Sequence, residues 1–252
     1  MMRFFAVFSL LALSSCASFF QGSQEKAELH MRIGNSYFAQ GNYPLALKEL
    51  LEAEKLDPKN ALVQNNLGLV YFTRERLDLA EKHLRQATRL QENYSEARVN
   101  LSRVLIEAKK YKEAEDELNK ALSDLTYAGF DRAWFNMGLL RFHQKNWAAA
   151  KSAFEKSLQG NRDNCLTNSY YGRSLFELGD YRRAAENLDK AVGFCQKQMF
   201  DEPHYYSAVA WYRLDEKDKS VARFQEIVKN YPEGKYREKA RAMLDLIRKG
   251  VQ

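Results

Sequence analysis

Residues 61–94 read ALVQNNLGLVYFTRERLDLAEKHLRQATRLQENY, and this block of 34 recurs along the chain when segments are aligned from residues 27, 61, 95, 131, 165 and 201. The eighth place is always small: Gly34, Gly68, Ser102, Gly138, Gly172 and Ala208. The twentieth holds Ala46, Ala80, Ala114, Ala150, Ala184 and Ser220, and the twenty-seventh Ala53, Ala87, Ala121, Ser157, Ala191 and Ile227. The twenty-fourth is large and apolar, with Leu50, Leu84, Leu118, Phe154, Leu188 and Phe224. Two antiparallel helices approach closely only where the facing side chains are small, with larger residues three and four places away filling the groove. Gly41-Asn42 and Gly179-Asp180 punctuate the first helix from the second, and Asp57-Pro58 and Tyr231-Pro232 separate one hairpin from the next. A fixed period of this length marks a stacked array, because a lone hairpin cannot bury its apolar face.

The pattern resembles the tetratricopeptide repeat across almost the whole chain after residue 26. The resemblance implies an all-α fold: a right-handed superhelix, an α-solenoid, of six hairpins over 27–60, 61–94, 95–128, 131–164, 165–198 and 201–234. A capping helix follows in 235–252, where Ala240, Met243, Leu244 and Ile247 recur at helical spacing. Gly129-Phe130 and Met199-Phe200 add two residues each before the fourth and sixth units, lengthening those turns.

The N-terminus carries an address. Met1-Met2-Arg3 is followed by an apolar run from Phe4 to Leu13, too short to span a bilayer, which needs about 20 residues. It reads as a signal peptide over 1–15. Leu13-Ser14-Ser15-Cys16 resembles the bacterial lipobox, which implies acylation of Cys16, such as by palmitate; the alternative is an ordinary signal peptide with a chance cysteine. Ala17 in place of aspartate points to the outer membrane, and residues 16–26 are expected to form the lipidated terminus and a tether facing the periplasm.

Charged residues make up 29% of the chain and the formal net charge is +6. The charges are interspersed, so no basic stripe asks for nucleic acid, and the excess reads as a solvated surface near an anionic membrane. Once Cys16 is assigned to lipid, Cys165 and Cys195 remain, at the first and thirty-first places of the fifth unit. The ends of a hairpin meet, so these two are a candidate disulfide in an oxidising compartment, the alternative being two partly buried thiols.

Chemistry is poorly supplied. His30, His83, His143 and His204 fall in different repeats, and there is no His-Glu-x-x-His pair, zinc-spaced cysteine pair, phosphate-cradling glycine loop or nucleophile elbow. The expectation is a scaffold, not an enzyme, with no cofactor, metal or small-molecule substrate and a protein as its partner. Candidate groove residues lie on the first helix of each hairpin: Asn66, Asn100 and Asn136 at the sixth place, and Arg103 and Arg173 at the ninth. Amides there satisfy an extended backbone and arginines pair with carboxylates, unless they simply face solvent. Phe72, Phe142 and Trp134 are candidate groove aromatics.

A lipobox, a tether and six such repeats resemble the outer-membrane pilotins of type IV pilus assembly. The stretch Ala121-Leu122-Ser123-Asp124-Leu125-Thr126-Tyr127, then Arg132-Ala133-Trp134-Phe135-Asn136-Met137-Gly138-Leu139, is similar to that family's tyrosine-containing spacer and aromatic-Asn-x-Gly start. The resemblance implies a partner that is an outer-membrane secretin, helped to insert and oligomerise, and a periplasmic disulfide in some members. The tail Phe224 to Pro232 instead looks like repeats of lipoproteins serving barrel-protein assembly or the Tol system. A third reading is an adaptor for peptidoglycan enzymes on the same scaffold.

Overall fold

The computed structural model describes the backbone of residues 5–195 and 200–250, with side chains described from residue 22. Among the described residues there are thirteen helices and no strands. They are α1 (Phe5–Ala39), α2 (Tyr43–Leu56), α3 (Ala61–Thr73), α4 (Leu77–Leu90), α5 (Ser95–Glu107), α6 (Tyr111–Ser123), α7 (Phe130–His143), α8 (Trp147–Gly160), α9 (Cys165–Glu177), α10 (Tyr181–Cys195), α11 (Glu202–Arg213), α12 (Lys217–Asn230) and α13 (Arg237–Arg248). Consecutive helices pair as six hairpins, and α13 packs on α12. The chain divides into two compact units, Met1–Leu125 and Thr126–Gln252.

Each hairpin is closed at the small eighth place. A Cβ added at Gly34 would meet Leu50 Cγ at 2.8 Å, at Gly68 Leu84 Cγ at 2.5 Å, at Gly138 Phe154 Cε1 at 2.4 Å, and at Gly172 Leu188 Cγ at 2.7 Å. The eighth place therefore seats the large twenty-fourth side chain against the backbone of the first helix. In the third hairpin the seat is Ser102, fully buried, whose hydroxyl turns back to donate to the Val99 carbonyl at 2.7 Å.

The turn inside each hairpin is the same in all six. Gly41, Glu75, Lys109, Lys145, Gly179 and Asp215 share the fifteenth place, and all have φ between 58° and 81°. The next residue returns its N–H to the carbonyl five places back, as in Asn42 to Tyr37 (2.9 Å), Lys110 to Leu105 (2.8 Å) and Asp180 to Leu175 (3.0 Å). This left-handed cap satisfies carbonyls that the helix end would otherwise orphan. Only two of the six positions are glycine, so four turns hold side chains in a conformation costing about 1–2 kcal/mol.

Within each unit, hairpins stack through the first helix of one on the second helix of its predecessor. In the first unit Val63, Leu67 and Val70 of α3 join Ala46, Leu50 and Ala53 of α2 in one buried cluster. In the second unit Ala208, Phe224 and Ile227 are joined by Ala240 and Leu244, so α13 covers the last hairpin's apolar face. Also in this unit Cys165 and Cys195 form a disulfide with Cα atoms 4.9 Å apart, linking the start of α9 to the end of α10. Closing a loop over a sequence separation of 30 contributes about 3–4 kcal/mol in the chain-entropy account.

Residues 22–26, expected as the end of a tether, are helical, and the Ser23 hydroxyl donates to the Leu56 carbonyl at 2.8 Å. The helix thus begins before the first repeat and is pinned to the end of α2. The side chain of Cys16 and the signal-peptide side chains lie outside the described residues, as does Met199 of the second insertion.

Two glycine substitutions separate packing from helix propensity. Gly138→Ala drives a methyl into the Phe154 ring and should cost about 1–3 kcal/mol. Gly193→Ala adds a methyl to α10 with nothing within 4 Å and should gain up to about 1 kcal/mol. Chemical denaturation of the two variants should give shifts of opposite sign.

Candidate functional site

The inner surface of the first unit is lined by its first helices, α1, α3 and α5, and their amides form a connected ladder. Asn100 Nδ2 donates to Asn65 Oδ1 at 2.9 Å, Asn65 Nδ2 to Asn66 Oδ1 at 3.0 Å, and Asn66 Nδ2 to Asn35 Oδ1 at 2.9 Å. Asn35 is exposed, Asn66 and Asn100 are half-buried, and Asn65 is buried. An amide has two donor hydrogens and a two-lone-pair acceptor, so each member keeps hydrogen-bonding capacity beyond the ladder. The ladder has a direction, which suits the alternating N–H and C=O groups of an extended chain.

Of the expected groove residues, the structure brings Asn66 and Asn100 together through Asn65. Asn35 and Asn65 were not legible, because they sit at the ninth and fifth places instead of the sixth. Arg103, on the same helix as Asn100, lies 3.2 Å from Glu107, and its buried Nε has no hydrogen-bond partner.

The second unit has a different inner surface. Asn136 is buried in α7, and at the same register place the next two hairpins carry Tyr170 and Tyr206. Arg173, read as a residue for a partner's carboxylate, already holds one of its own: Nη1 donates to Glu202 Oε1 at 2.5 Å, and Glu202 is itself buried. Its guanidinium lies 5.1 Å from the Phe142 ring centre and 4.4 Å from that of Tyr206. Arg173 thus staples α7, α9 and α11 through cation–π contacts and an ion pair. Phe142 is packed edge-on against Trp147 and Tyr170 and is core, and the Trp134 ring is covered by Lys156 Nζ at 3.9 Å. Phe72 stays half-buried.

Three of the four histidines are clasps between paired helices. The fourth and twenty-third places meet in the first three hairpins: His30 Nδ1 with Glu49 at 2.7 Å, Gln64 Oε1 with His83 Nδ1 at 2.8 Å, and Arg98 with Glu117 at 2.5 Å. His204 sits between Glu226 (3.1 Å) and the Tyr231 hydroxyl (3.0 Å). Among the described residues no three His, Cys, Asp or Glu side chains are grouped to hold a metal ion, and no helix is long and apolar enough to cross a membrane.

One apolar surface of the first unit is open. The third and seventh places of the first helix are buried in the following hairpins, as with Val63 and Leu67 or Ala97 and Leu101. In the first hairpin these places are Leu29 and Ile33, 57% and 36% exposed.

Stacked hairpins with small-residue seats and a polar inner face define the class: a tetratricopeptide-repeat protein, whose inner surface suits protein binding. Models of the tetratricopeptide repeat match residues 34–74, 60–125, and 132–159 with 204–234. The type IV pilus assembly protein PilF of Pseudomonas aeruginosa is 32% identical over 169 residues, 67% of each chain. The chain belongs to the family of tetratricopeptide-repeat proteins that contains this pilus assembly protein. The solved structure of Pseudomonas aeruginosa PilF superposes with a TM-score of 0.75 at 25% identity, covering 88% of this chain and 99% of that one. PilW, described as a widely conserved type IV pilus biogenesis factor, shares the fold with a TM-score of 0.78 at 19% identity, covering 84% and 97%.

Burial holds the His83 and His204 imidazoles below their usual pKa, against the opposing pull of Glu54 and Glu226 respectively. As pH falls through about 6.5 the unfolded chain takes up protons that the folded chain resists, so stability is lost toward acid. Thermal denaturation should show a lower Tm at pH 5 than at pH 7.5, and His83→Gln with His204→Gln should flatten that difference.

Proposed function

We propose that the protein is a non-catalytic, periplasm-facing scaffold that helps the type IV pilus secretin reach the outer membrane and oligomerise. The observation that carries this reading is the shared family with PilF, at 32% identity over two thirds of each chain. In this reading acyl chains on Cys16 hold the protein at the inner leaflet of the outer membrane, where two membrane signals or more give stable anchoring. The first unit captures a secretin segment, with the amide ladder of Asn35, Asn66, Asn65 and Asn100 satisfying extended backbone and Arg103 offering a charge. Leu29 and Ile33 supply the adjoining apolar contact. In the second unit Arg173 and the rings around it stiffen the stack instead of meeting the partner.

The test is crosslinking capture from detergent-solubilised envelopes, with partners identified by mass spectrometry. A pilus secretin should be recovered by the wild-type protein, and recovery of barrel-assembly, Tol or peptidoglycan-enzyme components in its place would sink the secretin reading. Leu29→Lys with Ile33→Lys should lower secretin capture at least tenfold while moving stability by under about 0.5 kcal/mol, since both side chains are already exposed. Cys16→Ser should leave the fold unchanged and misplace the secretin rings.

A further inference from the structure

The net charge is divided unequally between the two units. Residues 1–125 carry 17 basic and 17 acidic side chains, whereas residues 126–252 carry 22 and 16. Most of the second unit's excess lies at its end: residues 229–249, the last turn of α12, the link and α13, hold seven basic and three acidic residues. The interspersed pattern seen along the sequence conceals this concentration.

The apolar face of α13 is spent inside the protein, with Tyr236, Ala240 and Leu244 buried and Met243 and Ile247 packed against the last hairpin. The surface left to solvent carries Lys229, Lys235, Lys239, Arg241, Arg248 and Lys249, all exposed. Glu238 engages Arg241 at 3.2 Å and Arg237 at 3.7 Å. The other five exposed cations make no ion pair among the described residues. Lys235 and Lys239 instead lie 5.3 and 5.5 Å from the Tyr236 ring centre.

We propose that this C-terminal surface docks on an anionic phospholipid surface. Charge complementarity selects the occupant: four to eight Lys or Arg on an amphipathic helix are attracted by acidic headgroups, at about fivefold in affinity, or ~1 kcal/mol, for each residue near the surface. The choice of lipid over an acidic protein segment rests on the kind of array. Four of the five unpaired cations are lysines on flexible stems, point charges suited to a mobile lattice of headgroups, whereas a specific carboxylate site favours arginine forks held in place. Ala242 is the exposed apolar residue of α13, so the helix adsorbs without inserting. The contact is electrostatic, independent of the secretin reading, and additional to any acyl anchor.

The test uses the full chain carrying Cys16→Ser, sedimented with vesicles of phosphatidylcholine alone or with 30 mol% phosphatidylglycerol. The phosphatidylcholine arm subtracts any contribution of the apolar leader. Binding to the anionic vesicles should exceed that to the neutral ones at least tenfold and disappear in 0.5 M salt, where screening shortens the reach of exposed charges. Lys235→Gln, Lys239→Gln, Arg248→Gln and Lys249→Gln together should lower it by nearly three orders of magnitude, about 600-fold, with an unchanged circular dichroism spectrum. Neutralising Lys48, Lys59, Lys82 and Lys112 of the first unit in the same way should have little effect. Equal binding to the two vesicle types, or equal losses from the two quadruple variants, overturns the proposal. So does capture of an oligoglutamate peptide with no preference for phosphatidylglycerol, which would make the surface a site for acidic protein.

Discussion

Every hairpin depends on the absence, or near absence, of a side chain at one place. The large apolar residue of the second helix rests directly on the backbone of the first, at Gly34 under Leu50 and at Gly138 under Phe154. That contact sets the separation of the paired helices, and through it the angle at which their remaining faces meet the neighbouring hairpin. Overpacking such a seat is costly because a close-packed interior has no void into which a methyl can move. Where serine replaces glycine, as at Ser102, the hydroxyl is accommodated by folding back onto its own helix.

With the helix separation so fixed, the two units use their inner faces differently. The first unit links its amides in series from the exposed Asn35 to the half-buried Asn100, a surface that offers hydrogen bonds without burying an unpaired charge. The second carries Tyr170 and Tyr206 at the sixth place of its last two hairpins and locks Arg173 against Phe142, Tyr206 and Glu202. A guanidinium held by a buried carboxylate and two rings gains little from a partner's carboxylate, because Glu202 would then be left buried and unpaired. The disulfide between α9 and α10 and the covering helix α13 add further constraint to this unit.

Much of the fold was readable because its signals are local or periodic: small residues at a fixed spacing, turn pairs such as Gly41-Asn42, and the apolar spacing of α13. The candidate site was half readable. Asn66 and Asn100 were visible as a register repeat, while Asn35 and Asn65 were hidden because they reach the ladder from other places in the repeat. The clasps between the fourth and twenty-third places also went unseen, since His30 with Glu49, Gln64 with His83 and Arg98 with Glu117 share a geometry while the residue pair changes from hairpin to hairpin.

The sequence by itself determined the number of hairpins, the places where their helices touch, and the presence of turns at Gly41 and Gly179, because these follow from steric limits within one repeat. Only the tertiary structure decided that Glu75, Lys109, Lys145 and Asp215 adopt the same turn without glycine, for there the packed hairpin imposes a conformation the residue does not prefer. Likewise only tertiary structure decided that Arg173 is occupied, that Leu29 and Ile33 are uncovered, and which asparagines join. Those outcomes depend on side chains from separate helices meeting in space, and the crossing of helices sets that meeting, not their distance along the chain.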